Sequence, residues 1–291
     1  MSLPEGALPF AKLEALGNDF VAVEAAKAAG LDLSLLARAV CDRRRGVGAD
    51  GLLAIDHSRE PARVEVYNAD GSAGGFSGNG ARCAALLLAQ EWEEDQPLTF
   101  VMGGAPVEAR LAEASQDRRA ARVALTLPPA RFGAEALGAD RAALDEQGWE
   151  GEWWRAPGLG PCALVDVGNP HLVRVLQAPP DEAQLERFRR DLAPALAAHR
   201  AFPASVNVQL AWPAGAAGAW GLAPWERGVG PTPACGSGAM ALAAALRRAG
   251  LAHGPVEVRM PGGALVVDAA KEAITLTGRA QLRFTGLWPC A

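Results

Sequence analysis

Two positions stand out for chemistry, Ser77 and Cys235, because each opens the same local pattern. FSGNGARCAALLL at 76–88 and ACGSGAMALAAAL at 234–246 superimpose at a shift of 158 residues. The shift puts Ser77 on Cys235 and matches Gly78, Gly80, Ala81, Ala85 and Leu88 to identical residues. In each copy a small nucleophilic residue precedes Gly-x-Gly-Ala and then a long apolar run with helical spacing. The first turn of a helix leaves backbone N–H groups unpaired, and glycine lets a ligand approach them closely. Together with the positive end of the helix dipole, this makes a site for an anion such as a carboxylate. The same field is expected to draw the Cys235 thiol down from about 8.5 towards neutrality, favouring thiolate. Two such elements related by a pseudo-twofold axis face one cleft from opposite sides. That suits removal of a proton from one face of a carbon and return of a proton to the other. Close packing or a phosphate cradle is the plainer reading of either copy alone. Neither copy continues into the Gly-Lys-Ser/Thr of a P-loop, and the G-x-G-x-x-G dinucleotide fingerprint is absent.

The elements that must position these residues also repeat. Leu16-Gly17-Asn18-Asp19-Phe20-Val21 resembles Val167-Gly168-Asn169-Pro170-His171-Leu172, each leading into a strand about 60 residues before its Gly-x-Gly-Ala. The shift of 158 also places Asn68 on Glu226. Alternating runs predict strands at 20–24, 63–68, 121–127, 171–176, 205–212, 256–260 and 273–278. Helical spacing is found at Ser34–Cys41, Gly80–Trp92, Glu182–His199 and Gly238–Ala249, the last ending on Arg-Arg-Ala-Gly. The segments 141–160 and 213–218 resist assignment. Many strands with few helices predict an α+β fold of two duplicated domains. The Pro128-Pro129 stretch divides them into 1–127, completed by 278–291, and 128–277.

Composition narrows the function. The chain has 291 residues, half of them apolar, and 28 Lys+Arg against 33 Asp+Glu give a net charge of −5. No basic field gathers nucleic acid or an anionic membrane. Lysine occurs three times only, a bias that gives individual arginines little weight. Five scattered cysteines and four histidines predict neither a zinc site nor a disulfide framework, so no metal is expected. Cys83, mid-helix, is expected in the core. Cys162 and Cys290 have no assigned role, and His57, His199 and His253 are expected at surface or capping positions. The N-terminus lacks the pattern of a secretion signal, and no run of 18 apolar residues spans a bilayer. The expectation is a reduced, cytoplasmic protein.

Seven blocks, LGNDFVAVE (16–24), CDRRRGVGADGLL (41–53), YNADGS (67–72), SGNGARCAA (77–85), GNPHLV (168–173), SVN (205–207) and WERGVGPTPACGSGAMA (225–241), together resemble the diaminopimelate epimerase family. The resemblance implies two similar α/β domains, each a barrel-like mixed sheet around a central helix, with the active site in the cleft between them. It implies interconversion of LL- and meso-diaminopimelate without pyridoxal phosphate or any other cofactor, in a protein that commonly forms homodimers. The partner it implies is a small amino-acid substrate. Carried over, Cys235 is the second catalytic cysteine, and Ser77 stands where the family has the first. Glu226 and His171 lie near the catalytic pair and assist or orient proton transfer. Gly78, Asn79, Gly236 and Ser237 present donors to the α-carboxylate. Asn18, Asn68, Asn169, Asn207 and Arg227 hold the distal amino-carboxylate arm, with Glu226 taking the distal ammonium.

The serine is the principal departure, because its hydroxyl is far less acidic than a thiol and a poor base without an activating partner. It is compatible with a substitution made to trap a state, with natural but altered chemistry, or with a chain that keeps binding and has lost catalysis. Some relatives in the wider proline racemase superfamily work with a serine at one such position. A racemase or epimerase of another amino acid and an impaired amino-acid-binding relative are the alternatives to diaminopimelate epimerisation. Pro231 and Pro233 near Cys235, and the glycine-rich 72–78, also depart from the family pattern; proline removes amide donors there.

Overall fold

The computed structural model describes residues 6–91, 97–146, 148–215 and 218–289; Cys290 lies outside them. In chain order the elements are β1 (Ala7–Ala15), β2 (Asn18–Glu24), α1 (Leu33–Cys41), β3 (Gly51–Asp56), β4 (Ala62–Asn68), β5 (Ala73–Gly74), α2 (Gly78–Leu88), β6 (Leu98–Met102), β7 (Ala105–Ala114) and β8 (Ala120–Leu127). They continue as β9 (Arg131–Phe132), α3 (Ala134–Leu137), α4 (Arg141–Asp145), β10 (Trp149–Glu150), β11 (Trp153–Ala156), β12 (Gly160–Asp166), β13 (Pro170–Val175), α5 (Glu182–Arg187), α6 (Ala193–Ala197) and β14 (Asn207–Pro213). The last are β15 (Ala219–Glu226), β16 (Gly230–Pro231), α7 (Gly236–Arg248), β17 (Val256–Met260), β18 (Gly263–Ala269) and β19 (Ile274–Pro289). The fold is α+β. Residues 1–126 with 277–291 form one compact unit and residues 127–276 a second.

In the first unit the strands close on themselves in the order β1, β2, β3, β4, β6, β7, β8, β19, with β19 returning to β1. Two neighbours are parallel, β2 with β3 and β4 with β6. A parallel pair needs a crossover; α1 supplies the first and α2 the second. Helix α2 is apolar almost all round, and such a helix must be buried. Nine of its eleven residues are, and only glycine, alanine and leucine dominate the sequence.

The second unit repeats this alternation. The ladder β12–β13–β14–β15–β17–β18 runs antiparallel, parallel, antiparallel, parallel, antiparallel, matching β1–β2–β3–β4–β6–β7 step for step. Helix α7 is the crossover between β15 and β17, with ten of thirteen residues buried. Its last turn carries Arg247 and Arg248, and Arg248 grips Glu152 with two hydrogen bonds of 2.5 and 2.6 Å.

One expectation is corrected, and one stretch left open by the sequence is resolved. The single helix read over 182–199 is broken. Asp181 and Gln184 start α5 with a reciprocal capping box, but Pro194 has no N–H to return to the preceding turn. The chain widens into a π turn at Phe188–Leu192 before α6. The unassigned 141–160 stretch folds locally: Asp140 caps α4, and β10 and β11 form a hairpin that puts Trp149 opposite Trp154. Trp154 is fully buried against Phe202, ring centroids 5.5 Å apart, and against the half-buried His199 at 5.1 Å. His199 is therefore packed under a tryptophan, while its Nδ1 accepts from the Ala201 amide.

Candidate functional site

The sequence repeat becomes a structural one at the two helix starts. Ser77 is the N-cap of α2, its Oγ accepting from the Gly80 amide at 3.1 Å. Cys235 is the N-cap of α7, its Sγ accepting from the Gly238 amide at 3.2 Å. Both have extended backbone, φ −125° and −132°, so the chain arrives as a strand-like segment and turns into the helix at the nucleophilic residue.

Upstream, Asn18 and Asn169 follow tight turns. The β1–β2 hairpin uses Leu16 and Gly17, both at positive φ (56° and 81°), the turn whose twist matches the flanking strands. Gly168, at φ 98°, does the equivalent work between β12 and β13. An acidic side chain caps each turn: Glu14 accepts from the Gly17 amide and Asp166 from the Gly168 amide.

Strand register then sets which residues correspond. Phe20 pairs with Gly51 as His171 pairs with Asn207, and Ala22 with Leu53 as Val173 with Gln209. Gly51 lies opposite Asn68. Val208 lies opposite Trp225, so the next rung carries Asn207 and Glu226. The alignment of Asn68 with Glu226 is thus reproduced by the ladder. It exposes an asymmetry as well. Around α7 stand His171, Gln209 and Glu226; at the corresponding places around α2 stand Phe20, Leu53 and Asn68.

In the second unit these polar groups form one network. Gln209 Nε2 lies 3.3 Å from His171 Nδ1, and His171 Nε2 lies 3.0 Å from Asn169 Oδ1. Asn169 Nδ2 donates to Ser237 Oγ at 3.3 Å, and Ser237 Oγ sits 3.4 Å from Cys235 Sγ. His171 reaches the thiol through Asn169 and Ser237, not directly. Burial, with Arg227 nearby, drives the His171 imidazole down to about 3, so it is neutral. With Asn169 Oδ1 accepting, Nε2 carries the proton and Nδ1 accepts from Gln209.

The Cys235 thiol departs from expectation. Burial pushes it up to about 12, and the Glu226 carboxylate adds to that rise, against the lowering by Ser237 and the Gly238 amide. The sequence shows the helix start but not that Cys235 is 3% exposed. Desolvation of a thiolate outweighs the field of one helix turn, so Cys235 is a protonated acid. Glu226 is itself raised by burial, partly offset by hydrogen bonds from Thr232 and Cys235. Thr232 Oγ1 donates to Glu226 Oε1 at 2.5 Å.

The other expected residues are placed as follows. Asn207 is clamped by backbone at both ends, Oδ1 accepting from the Arg227 amide and Nδ2 donating to Pro170 O. Arg227 is exposed, with Nη1 on the Ala204 carbonyl. Gly236 is buried and Ser237 half-buried. In the first unit Asn68 is exposed and donates to Ser72 Oγ. Gly78 lends its carbonyl to Arg82, and Asn79, 8% exposed, donates to Asn18 Oδ1 at 3.2 Å.

Sequence reading missed Gln209 and Arg82, both fully buried. Gln209 was detectable as a polar residue two places after Asn207 in an otherwise apolar strand. Arg82 was detectable as the single charge inside α2; the low weight given to arginines hid it. Cys83 and Cys162 are buried as core thiols pushed up to about 12. Among the described residues, no three His, Cys, Asp or Glu side chains are grouped to hold a metal ion. No helix there is long and apolar enough to cross a membrane.

Residues 10–125 and 163–283 match the family diaminopimelate epimerase. The chain belongs to that family. A diaminopimelate epimerase of Desulforudis audaxviator is 35% identical over 301 residues, covering 97% of this chain and 99% of its own. One from Rhizorhabdus wittichii is 36% identical, covering 95% and 93%. Among solved structures, a predicted epimerase from Pseudomonas aeruginosa superimposes with a TM-score of 0.67 at 20% identity, covering 98% of this chain and all of that one. A probable proline racemase from Agrobacterium radiobacter gives 0.62 at 18% identity, covering 96% and 92%. At these identities the solved structures establish the fold alone, an α+β architecture of two units. This diaminopimelate epimerase relative is accordingly an epimerase-like isomerase.

Proposed function

We propose that the chain is a cofactor-independent epimerase that interconverts LL- and meso-diaminopimelate by moving protons at the α-carbon. The reading is carried by the Cys235–Glu226 pair: a protonated thiol at a helix start, its proton held on further by the half-buried Glu226 carboxylate, and ordered by a four-residue polar network. In the reaction the α-C–H bond breaks and its electron pair passes into the α-carboxylate. Free amides at the starts of α2 and α7 stabilise that charge. Cys235 gives its proton to the other face of the carbon, and Glu226 steadies the proton in the dyad until then. Ser77 occupies the receiving station: its hydroxyl proton leaves to water, the alkoxide takes the α-proton and ends the step as a hydroxyl, and Cys235 ends it as a thiolate; the reverse direction exchanges the roles.

One observation favours a second, slower variant of the same chemistry. Among the described residues, the hydrogen bond of Ser77 Oγ is to the Gly80 amide, and the positions around it that correspond to His171 and Gln209 are Phe20 and Leu53. No carboxylate or imidazole of its own unit is bonded to it. Exchange through Cys235 then outruns full inversion.

Incubation with LL-diaminopimelate and, separately, with meso-diaminopimelate in deuterated water tests both, because the α-hydrogen that faces Cys235 belongs to only one of the two epimers. Deuterium at the α-carbon with meso product supports epimerisation; label without inversion supports the one-sided variant. Ser77→Cys is expected to raise the inversion rate by about 10²- to 10⁴-fold, the usual worth of a competent general base. No label in either protein removes the proposal. Label appearing in another amino acid but never in diaminopimelate moves the substrate elsewhere.

A further inference from the structure

The first unit contains a polar chain whose two charged ends, Arg82 and Asp50, have no part in the proposed reaction. Arg82 is fully buried within α2. Its Nη2 donates to Asn79 Oδ1 at 2.5 Å and its Nη1 to the Gly78 carbonyl at 3.2 Å, while Nε has no partner. Asn79 Nδ2 donates to Asn18 Oδ1 at 3.2 Å. Asn18 Nδ2 donates in turn to Asp50 Oδ2 at 2.7 Å. Asp50 is held from beyond by Arg43, 2.8 Å away, and it also accepts from the Asp19 amide. Asp19 is itself paired with Arg43 and with the buried Lys12.

A side-chain amide has two nearly isosteric orientations, and its neighbours decide between them. Guanidinium can only donate and an ionised carboxylate can only accept. With Arg82 at one end and Asp50 at the other, each link has one direction: Arg82 to Asn79, Asn79 to Asn18, Asn18 to Asp50. Reversing either amide would set oxygen against oxygen or donor against donor. We propose that Arg82 and Asp50 are positioning residues that lock the amides of Asn18 and Asn79, spending both carbonyl oxygens inside the relay. Each amide keeps one N–H for a ligand, so the start of α2 offers donors alone to a carboxylate. The α7 network runs the other way, with Asn169 donating towards Ser237 at the helix start. The carboxylate part of the inference rests on the function proposed above; the lock itself does not.

The chain holds five asparagines, Asn18, Asn68, Asn79, Asn169 and Asn207. Nitrogen-15 labelling of asparagine therefore gives five side-chain NH₂ signals, assigned with Asn18→Ala and Asn79→Ala. Asp50 is the cleaner perturbation because its side chain is 42% exposed. In Asp50→Ala, which removes the acceptor and adds no amide, the Asn79 signals are expected to shift, two hydrogen bonds from the change, and the protons of both amides to exchange with water faster. Binding of meso-diaminopimelate, measured by calorimetry, should weaken about tenfold with little change in melting temperature. Arg82→Lys, still donor-only, should keep the Asn79 signals and the affinity, and Arg82→Met should lose both. Asn79 signals that ignore Asp50→Ala overturn the lock. Signals that move while affinity stays constant overturn its role in binding. If the unaltered protein binds no diaminopimelate yet its Asn79 signals follow Asp50, the substrate reading falls and the lock stands.

Discussion

A neutral, buried His171 makes acid stability a direct probe of the network behind Cys235. The folded imidazole is held to about 3, whereas an unfolded one titrates near 6.5. A base depressed in the folded state leaves stability intact above pH 6.5 and erodes it as pH falls from there towards 3. Between pH 7 and pH 5 the unfolded chain takes up most of one proton at this residue that the folded chain refuses. Integrating the difference gives a loss of about 2 kcal/mol from this group alone. Asp19, held to about 2, does not titrate in that window. The assay is urea unfolding at the two pH values, followed by tryptophan fluorescence. Six of the eight tryptophans, Trp149, Trp153, Trp154, Trp212, Trp220 and Trp225, lie in the second unit with His171. The control is His171→Gln, in which every other histidine still titrates. The wild type should lose about 2 kcal/mol more than the variant on going from pH 7 to pH 5. Equal losses would refute the buried neutral imidazole, and with it the direction assigned to the relay.

Three further outcomes follow from the geometry. Asp19 is desolvated, yet hydrogen bonds from Arg43 and Lys12 hold its carboxyl near 2; its contribution is complete above about pH 4 and lost as pH falls towards 2. Asp19→Asn should therefore cost up to about 2 kcal/mol at neutral pH and flatten the acid limb of a circular-dichroism unfolding series. A methyl group at Gly238 would meet the buried Gln209 amide at 2.6 Å, so Gly238→Ala should lower stability by about 1–3 kcal/mol in chemical unfolding. Glu226→Gln removes the carboxylate that helps to raise the Cys235 thiol; alkylation of Cys235 near pH 9 should speed up, read by mass spectrometry of the modified peptide.

The parts of the fold that announce themselves locally are the ones legible in the sequence. β17 matches the alternating Val256–Met260 run residue for residue, because one face packs and the other meets water. The two N-caps are legible because Gly-x-Gly-Ala before an apolar run means a helix start with room beside it. Pro194 shows why pattern alone fails at 182–199: the apolar spacing continues through a residue that cannot continue the hydrogen bonding. Cys235 shows the same limit in chemistry. A helix field is written in the local sequence, but the desolvation that overrides it comes from strands far along the chain. Gln209 and Arg82 escaped for a related reason, since a polar residue in an apolar run reads as exposed until its partners are known.

The closed ring of eight strands around α2 has a mechanical consequence. A helix enclosed on all sides by hydrogen-bonded backbone cannot tilt or slide without tearing a seam in that ring, so the nucleophilic end at Ser77 is as stationary as the barrel wall. Whatever yields to let a molecule in must come from the connecting segments that lead into the helix, 69–76 above all. Engineering that speeds or slows entry should leave the helix alone and alter those few residues instead.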